Sequence, residues 1–463
     1  HSAAWLAPLP RCAREACAAE RGARRRRGLA ALAGPPAFLC LTALGSGAAR
    51  VRFVGKARRR SLARPAFVAG GGQLRSGASP RSLQLRSVAT PRELATERVL
   101  RTAPAIAATF TPPRFVPAAY ATNAHVMTVL GAEVFFTFGP DALPDGLNMQ
   151  RKRYETSDGD FFDVDYAMSD GSDVVEQVPV STRPMVVMLH GLESNSTSPV
   201  CCRMARAFLR RGFDAAVVCF RSCSGELNRT AGAYNLGFTA DLDQLCAALH
   251  AAAPSRHLYL AGFSLGANVI CKFLGELGKT APARGVHGGA VCCVPFAAED
   301  CSPLLESGIG KWVYSANFLK SLQPKAEAQA AMLKARGEPV PFDLEAVRAA
   351  STIGEFDEAF IAPIYGFQDK WDYYRRQGSK RFLGGVRVPL FAMNALDDPF
   401  IERRSLPTSA DASAAVAFYY TEFGGHAGFI AQDAEQLEGG DPRNFMPGVL
   451  GDFLQHVERM LER

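Results

Sequence analysis

A serine hydroxyl is a weak nucleophile until a neighbouring base takes its proton and an acid steadies that base. The segment Gly262-Phe263-Ser264-Leu265-Gly266 offers the first of these groups. An apolar run, Leu258–Phe263, leads straight into Ser264, and helical sequence resumes at Leu265 and runs to about Leu277. A serine between a strand and a helix, with glycine two residues to either side, reads as a tight, strained turn in which larger side chains at the glycines would collide. Such a turn points the hydroxyl out of the sheet and aims the following backbone N–H groups and the helix dipole at the reacting atom. Ser264 is therefore the candidate nucleophile, against the plainer reading of a serine that only caps a helix.

Downstream of Ser264 stand His287, His426 and His456. His287 precedes a strand, and His456 falls on a C-terminal amphipathic helix. His426, in Gly424-Gly425-His426-Ala427-Gly428, follows the last strand in a loop supple enough to reach the sheet edge, which makes it the candidate general base. The acid is expected in Asn394-Ala395-Leu396-Asp397-Asp398-Pro399-Phe400, directly after the strand Leu390–Ala395. Asp398 is the first choice, because a small turn and an apolar residue follow it. Asp397 is the alternative, and otherwise caps the turn or holds the loop. His190-Gly191-Leu192-Glu193 closes the strand Met185–Leu189. The backbone N–H of Leu192 is expected to join that of Leu265 as an oxyanion hole, with His190 holding the loop.

Further strands are predicted at Ala215–Phe220, Gly289–Val294 and Val416–Tyr420, and helices from Ser198-Pro199 to Arg211 and over Asp241–Ala252. This alternation predicts an α/β fold: a mostly parallel, twisted sheet with helices on both faces. Residues 300–385 interrupt it with helical, aromatic and charged sequence, an expected lid. Phe296, Trp312, Tyr314 and Phe318 open that insert and either line an acyl pocket or simply pack the lid on the core. The twelve cysteines lack paired CxxC spacing, so no metal site and no cofactor is expected, and a reducing compartment suits them.

The net charge of +7 conceals an asymmetry. Residues 1–90 carry sixteen arginines and Lys56 against Glu15 and Glu20. Arg24 to Arg27 precede an apolar stretch, Gly28 to Gly45, that ends in small residues, and an acid-free Arg/Ser/Ala/Gly segment follows to about Arg86. Signal-like and then transit-like, this order fits import into a plastid; a disordered basic tail is the bland alternative, leaving the protein cytoplasmic or membrane-associated. A nucleic-acid arm fits poorly, since no aromatic residues interleave the charges. The first methionine is Met127, so the start codon is expected outside the chain. The domain plan is a disordered basic targeting segment over 1–100 and a catalytic domain over 113–460.

Several motifs carry a resemblance. They include Thr122-Asn123-Ala124-His125-Val126-Met127-Thr128, Asp158-Gly159-Asp160-Phe161, Arg221-Ser222-Cys223-Ser224-Gly225, the elbow continued to Asn268, Gly366-Phe367 and Tyr373-Tyr374. With the oxyanion, acid and histidine loops, they make residues from about Pro113 to Glu458 resemble the YheT-like branch of the α/β-hydrolases. That branch includes plant embryogenesis-associated hydrolases and animal acylglycerol-lipase and phospholipase-like members. The resemblance implies a cofactor-free serine hydrolase of lipid or other small carboxylic esters, acylglycerols or short- to medium-chain esters, with peripheral membrane contact compatible and no nucleic-acid partner. Ser194 departs from the usual glycine after His-Gly-Leu-Glu. The competing functions are an acyltransferase, against which five residues after His190 comes Asn195 rather than an aspartate, and a non-catalytic binding module on the same fold.

Overall fold

The computed structural model describes residues 90–133 and 147–463. Eight strands form one sheet: β1 (Gln150–Glu155), β2 (Phe161–Ala167), β3 (Met185–Leu189), β4 (Asp214–Cys219), β5 (Leu258–Phe263), β6 (Val286–Cys292), β7 (Leu390–Ala395) and β8 (Val416–Thr421). Their spatial order is β1-β2-β4-β3-β5-β6-β7-β8, antiparallel from β1 to β4 and parallel from there on. Strands β3, β4, β5 and β7 are buried along their whole length, as expected where helices cover both faces. This gives their largely apolar sequence, with Asp214 in β4 and Asn394 in β7 as the polar exceptions. β8, at the sheet's edge, is only half-buried. Charge and alternation hide β1 and β2 from a reading of apolar runs, and neither was expected. Arg151 and Arg153 of β1 pair with Asp165 and Asp163 of β2, so the strands are stitched by ion pairs across the ladder.

The chain steps from β3 outward to β4, then returns past β3 to form β5 on the other side. Loops leaving the C-terminal ends of β3 and β5 therefore diverge and open a crevice between them, the usual ligand position in such sheets. Between β6 and β7 the chain leaves the sheet for residues 298–385, a helical insert close to the expected lid. It contains two short π-helical stretches, Gly310–Ser315 and Asp357–Ile361.

The expected boundary of disorder at residue 100 is displaced. A helix over Pro91–Thr109 opens with a reciprocal capping box between Thr90 and Glu93. Its Val99, Ala103 and Ile106, one stripe at helical spacing, are buried. Phe110 then packs edge-on against Phe391 of β7 and Phe453 of the C-terminal helix Phe445–Glu462. The apolar stripe outweighs the polar, arginine-containing face that made this stretch look like a tail. The proposed targeting residues 1–89 lie outside the described residues. Among the described residues, no helix is long and apolar enough to cross a membrane, and all nine cysteines are free and buried.

Candidate active site

Ser264 follows β5 at φ 55°, ψ −127°, a left-handed backbone that a non-glycine residue adopts only under constraint. The helix Leu265–Leu277 starts immediately after it. The flanking glycines are required by space. A Cβ on Gly262 would lie 2.7 Å from the Leu189 carbonyl oxygen, and one on Gly266 would lie 2.5 Å from those of both Leu189 and His190. The elbow is thus wedged against the end of β3, which brings the β3 loop beside the serine.

His426 and Asp398 arrive from the two strands on the far side. The Ser264 Oγ stands 2.9 Å from His426 Nε2. His426 Nδ1 lies 2.8 Å from Asp398 Oδ2 and 3.1 Å from Oδ1. The Asp398 side chain is fully buried, and its Oδ1 also accepts the Phe400 N–H at 2.8 Å. Phe400 stacks on the His426 ring with centroids 4.2 Å apart. Asp397 takes a different position. Its Oδ1 accepts the Gly425 N–H at 2.9 Å, tying the acid loop to the histidine loop, and burial pushes its carboxyl up. The structure thus brings Ser264, His426 and Asp398 into one hydrogen-bonded chain and sets Asp397 beside it.

Leu192 and Leu265 both face the same cavity as Ser264. Among the described residues, neither backbone N–H donates to a protein acceptor, leaving both free for an oxygen of a bound molecule. Behind them, the Phe220 N–H donates to His190 Nε2 at 3.1 Å. The other nitrogen, Nδ1, therefore carries the proton and donates to the Gly191 carbonyl at 2.8 Å. Burial lowers the His190 pKa to about 4, so the ring stays neutral and holds the loop, as its position after a strand suggests.

The histidine loop has a support whose function sequence reasoning missed. Thr122 to Thr128 stood out only as a family motif. Asn123 caps the helix Ala124–Ala132, and Thr128 Oγ1 on that helix accepts the His426 N–H at 2.8 Å. Gly131 and Gly428 pack backbone to backbone, so that a Cβ on Gly131 would lie 2.4 Å from the Gly428 Cα. Thr128 and Gly131, one helical turn apart, share the helix face that meets the histidine loop. Other motifs also find structural roles. Arg221, buried, pairs with Asp158 at 2.6 Å and with Asp241 at 2.8 Å. Asn268 on the elbow helix donates to the carbonyls of Leu236 and Gln377, joining that helix to the end of the insert.

A cavity of about 160 Å³ opens from the serine under the insert. Its walls are largely apolar, with Leu305, Phe318, Leu322, Phe360 and Ile401 among them. Of the four aromatic residues that open the insert, Phe318 lines the cavity. Phe296 is fully buried in the core, Trp312 is exposed, and Tyr314 packs edge-on against Phe400 and hydrogen-bonds His125. Cys293 lies with Asp398 and His426 in the one cluster of described residues that could hold a metal ion. Burial pushes its thiol well up, and its sulfur accepts the Ala427 N–H at 3.1 Å. A protonated thiol beside a histidine already engaged by aspartate is a poor ligand set, so this cluster belongs to the hydrogen-bonded chain.

No protein-family model matches the chain. YheT of Escherichia coli, which carries a provisional esterase name, is 32% identical over 279 residues, covering 60% of this chain and 78% of that protein. The chain belongs to the YheT-like branch of the α/β-hydrolases. Mouse phospholipase ABHD3 is 29% identical over 311 residues, covering 66% of this chain and 71% of its own. The embryogenesis-associated protein EMB8 of Picea glauca is 25% identical over 316 residues, covering 67% and 66%. Within this branch, the eight-stranded sheet and its helical insert are the fold that the motifs implied.

Proposed function

We infer that the protein hydrolyses carboxylic esters of lipids, acylglycerols or short- to medium-chain esters, through an acyl-enzyme on Ser264. The observation that carries this reading is the Asp398–His426–Ser264 hydrogen-bonded chain at the mouth of an apolar cavity. The esterase and phospholipase names of its relatives support the reaction class. Ser264 Oγ attacks the ester carbonyl carbon while His426 Nε2 takes its proton, and Asp398 holds the Nδ1–H and steadies the imidazolium. The N–H groups of Leu192 and Leu265 take the developing oxyanion. The collapse expels the alcohol, protonated by His426, and water activated by the same nitrogen then releases the acid. The cavity, similar in size to the roughly 150 Å³ void that holds one benzene, suits an acyl chain at the short end of that range.

Replacing Ser264 by alanine in the full chain tests this. Hydrolysis of p-nitrophenyl esters and labelling by a fluorophosphonate should both be lost, with near-ultraviolet circular dichroism unchanged. Labelling that persists in the alanine protein would show that another nucleophile acts. Product analysis with added alcohols separates hydrolysis from acyl transfer, because a transferase would return the new ester.

A further inference from the structure

The oxyanion loop is held from the lid as well as from the sheet. Glu193, next to Leu192, sits at φ 54°, again left-handed. A loop in that conformation persists only if its surroundings hold it. Two groups do. The Tyr234 hydroxyl accepts the Glu193 backbone N–H at 2.9 Å and donates to Glu193 Oε1 at 2.8 Å. Its ring stacks on Phe220, the residue whose N–H fixes His190. The other group comes from the insert: Lys325 Nζ, on the helix Ala316–Ala335, lies 2.8 Å from Glu193 Oε2. The Glu193 carboxylate is nearly buried, while the lysine is one-third exposed and lines the cavity. Cys223 completes the cluster, its sulfur 3.7 Å from Lys325 Nζ.

We propose that Lys325 is a positioning residue for ester hydrolysis: its ion pair with Glu193 clamps the strained loop so that the Leu192 N–H is aimed at the oxyanion, making a seated lid helix a condition for a complete oxyanion hole. The inference rests on the proposed serine hydrolase chemistry. Without the lysine charge, a buried carboxylate loses its cation, and the loop relaxes to shed either the strain or the burial. A lid that only shaped the acyl pocket would change substrate affinity. A lid that sets an oxyanion donor changes the rate of the chemical step, since that donor acts on the transition state.

The test uses the full chain with Lys325→Met, Lys325→Arg and Glu193→Gln. Lys325→Met should lower kcat on a short p-nitrophenyl ester by about tenfold or more, part of the roughly 10²–10³-fold that losing one oxyanion donor costs, with KM changed little. Affinity for a trifluoromethyl ketone, whose hemiketal with Ser264 Oγ places an oxyanion in the hole as His426 takes the serine proton, should fall by the same factor as kcat/KM. Affinity for the unreactive amide of the same acyl chain should hold. Lys325→Arg should restore most of kcat, and adding Glu193→Gln to Lys325→Met should cost little more than the single change. If Lys325→Met melts at a much lower temperature, the parallel loss of ketone but not amide affinity in Glu193→Gln carries the test instead. A rise in KM with kcat retained, or equal losses of ketone and amide affinity, would overturn the inference. Ser264→Ala is measured alongside: if it remains active, the parent chemistry fails, whereas an inactive alanine protein with a fully active Lys325→Met removes the lysine's role alone.

Discussion

The loops at the C-terminal edge of the sheet and the 298–385 insert face one another across the cavity, yet they are built by different means. At the sheet edge, the reactive groups are fixed through close backbone packing and short hydrogen bonds that involve the main chain. Ser264 is held by the packing of Gly262 and Gly266 on β3, Asp398 accepts the Phe400 N–H, and the His426 N–H rests on Thr128. The insert meets the cavity with side chains, mostly apolar, and side chains also make most of its polar links to the rest: Gln329 donates to the Thr230 carbonyl, the Tyr373 hydroxyl accepts the Leu236 N–H, and Lys325 pairs with Glu193. A strand end can hold an atom to a few tenths of an ångström because the whole sheet must deform to move it. A cavity wall of apolar side chains tolerates change more readily. On the proposed chemistry, the difference assigns the reacting groups to the sheet edge and gives the insert the acyl pocket and, through Lys325, the seating of one oxyanion donor.

The largest expected effect breaks the comparison within a single loop. Asp398→Asn should lower kcat by about 10⁴-fold, because the imidazolium loses its counter-charge and the required tautomer loses its partner. Asp397→Asn should cost less than about tenfold, since an amide oxygen still accepts the Gly425 N–H. Steady-state kinetics on the two variants decides, and a reversed ranking would move the acid to Asp397. Next comes Thr128→Val, which leaves the buried His426 N–H without an acceptor. It should lower stability by about 1–3 kcal/mol and reduce kcat with KM nearly constant, as urea unfolding and initial rates can show. An unchanged kcat would mean that the histidine loop needs no support from this helix.

On the lid side, Phe318→Ala should enlarge the cavity and shift preference toward longer acyl chains. The ratio of kcat/KM for an octanoate over a butanoate ester should rise by about tenfold, the scale of one or two extra methylenes in a fitted pocket. An equal fall for both esters would place Phe318 in the chemistry rather than in selection. The smallest effect concerns Asp357. Burial raises its carboxyl to about 7, against the pull of nearby Lys370 and alongside Glu306, while the Tyr374 hydroxyl donates to it. The folded state therefore holds a proton that the unfolded chain releases near pH 4, so stability falls as pH rises from about 4 to 7. Asp357→Asn removes that loss. Its gain in Tm over the native protein should be greater at pH 8 than at pH 5, and a gain independent of pH would exclude the titration of Asp357 as its source.

Much of the sheet edge was legible in the chain. Covered on both faces, β3, β5 and β7 are runs of mainly apolar residues and have the bounds the sequence predicts, and each leads directly into a loop that bears a candidate group. β1 and β2 were not legible because their pairing runs through Arg–Asp contacts, which break the sequence into charged and apolar residues and leave no apolar run. The helix Pro91–Thr109 was masked by its polar face, although Val99, Ala103 and Ile106 keep helical spacing. The part of Thr128 lay out of reach for another reason. It acts on His426 across 298 residues of sequence, and only the folded chain brings the two together.

The central claim, that Ser264 carries the acyl group, is tested most directly by trapping that intermediate. A p-nitrophenyl butanoate reaction of the full chain, quenched with acid within the first turnover and digested, should place the added butanoyl mass on the peptide containing Ser264. The accompanying burst should release about one p-nitrophenolate per active site. A butanoyl mass on a different residue, or steady turnover by Ser264→Ala with no acylated peptide in either protein, would contradict the account.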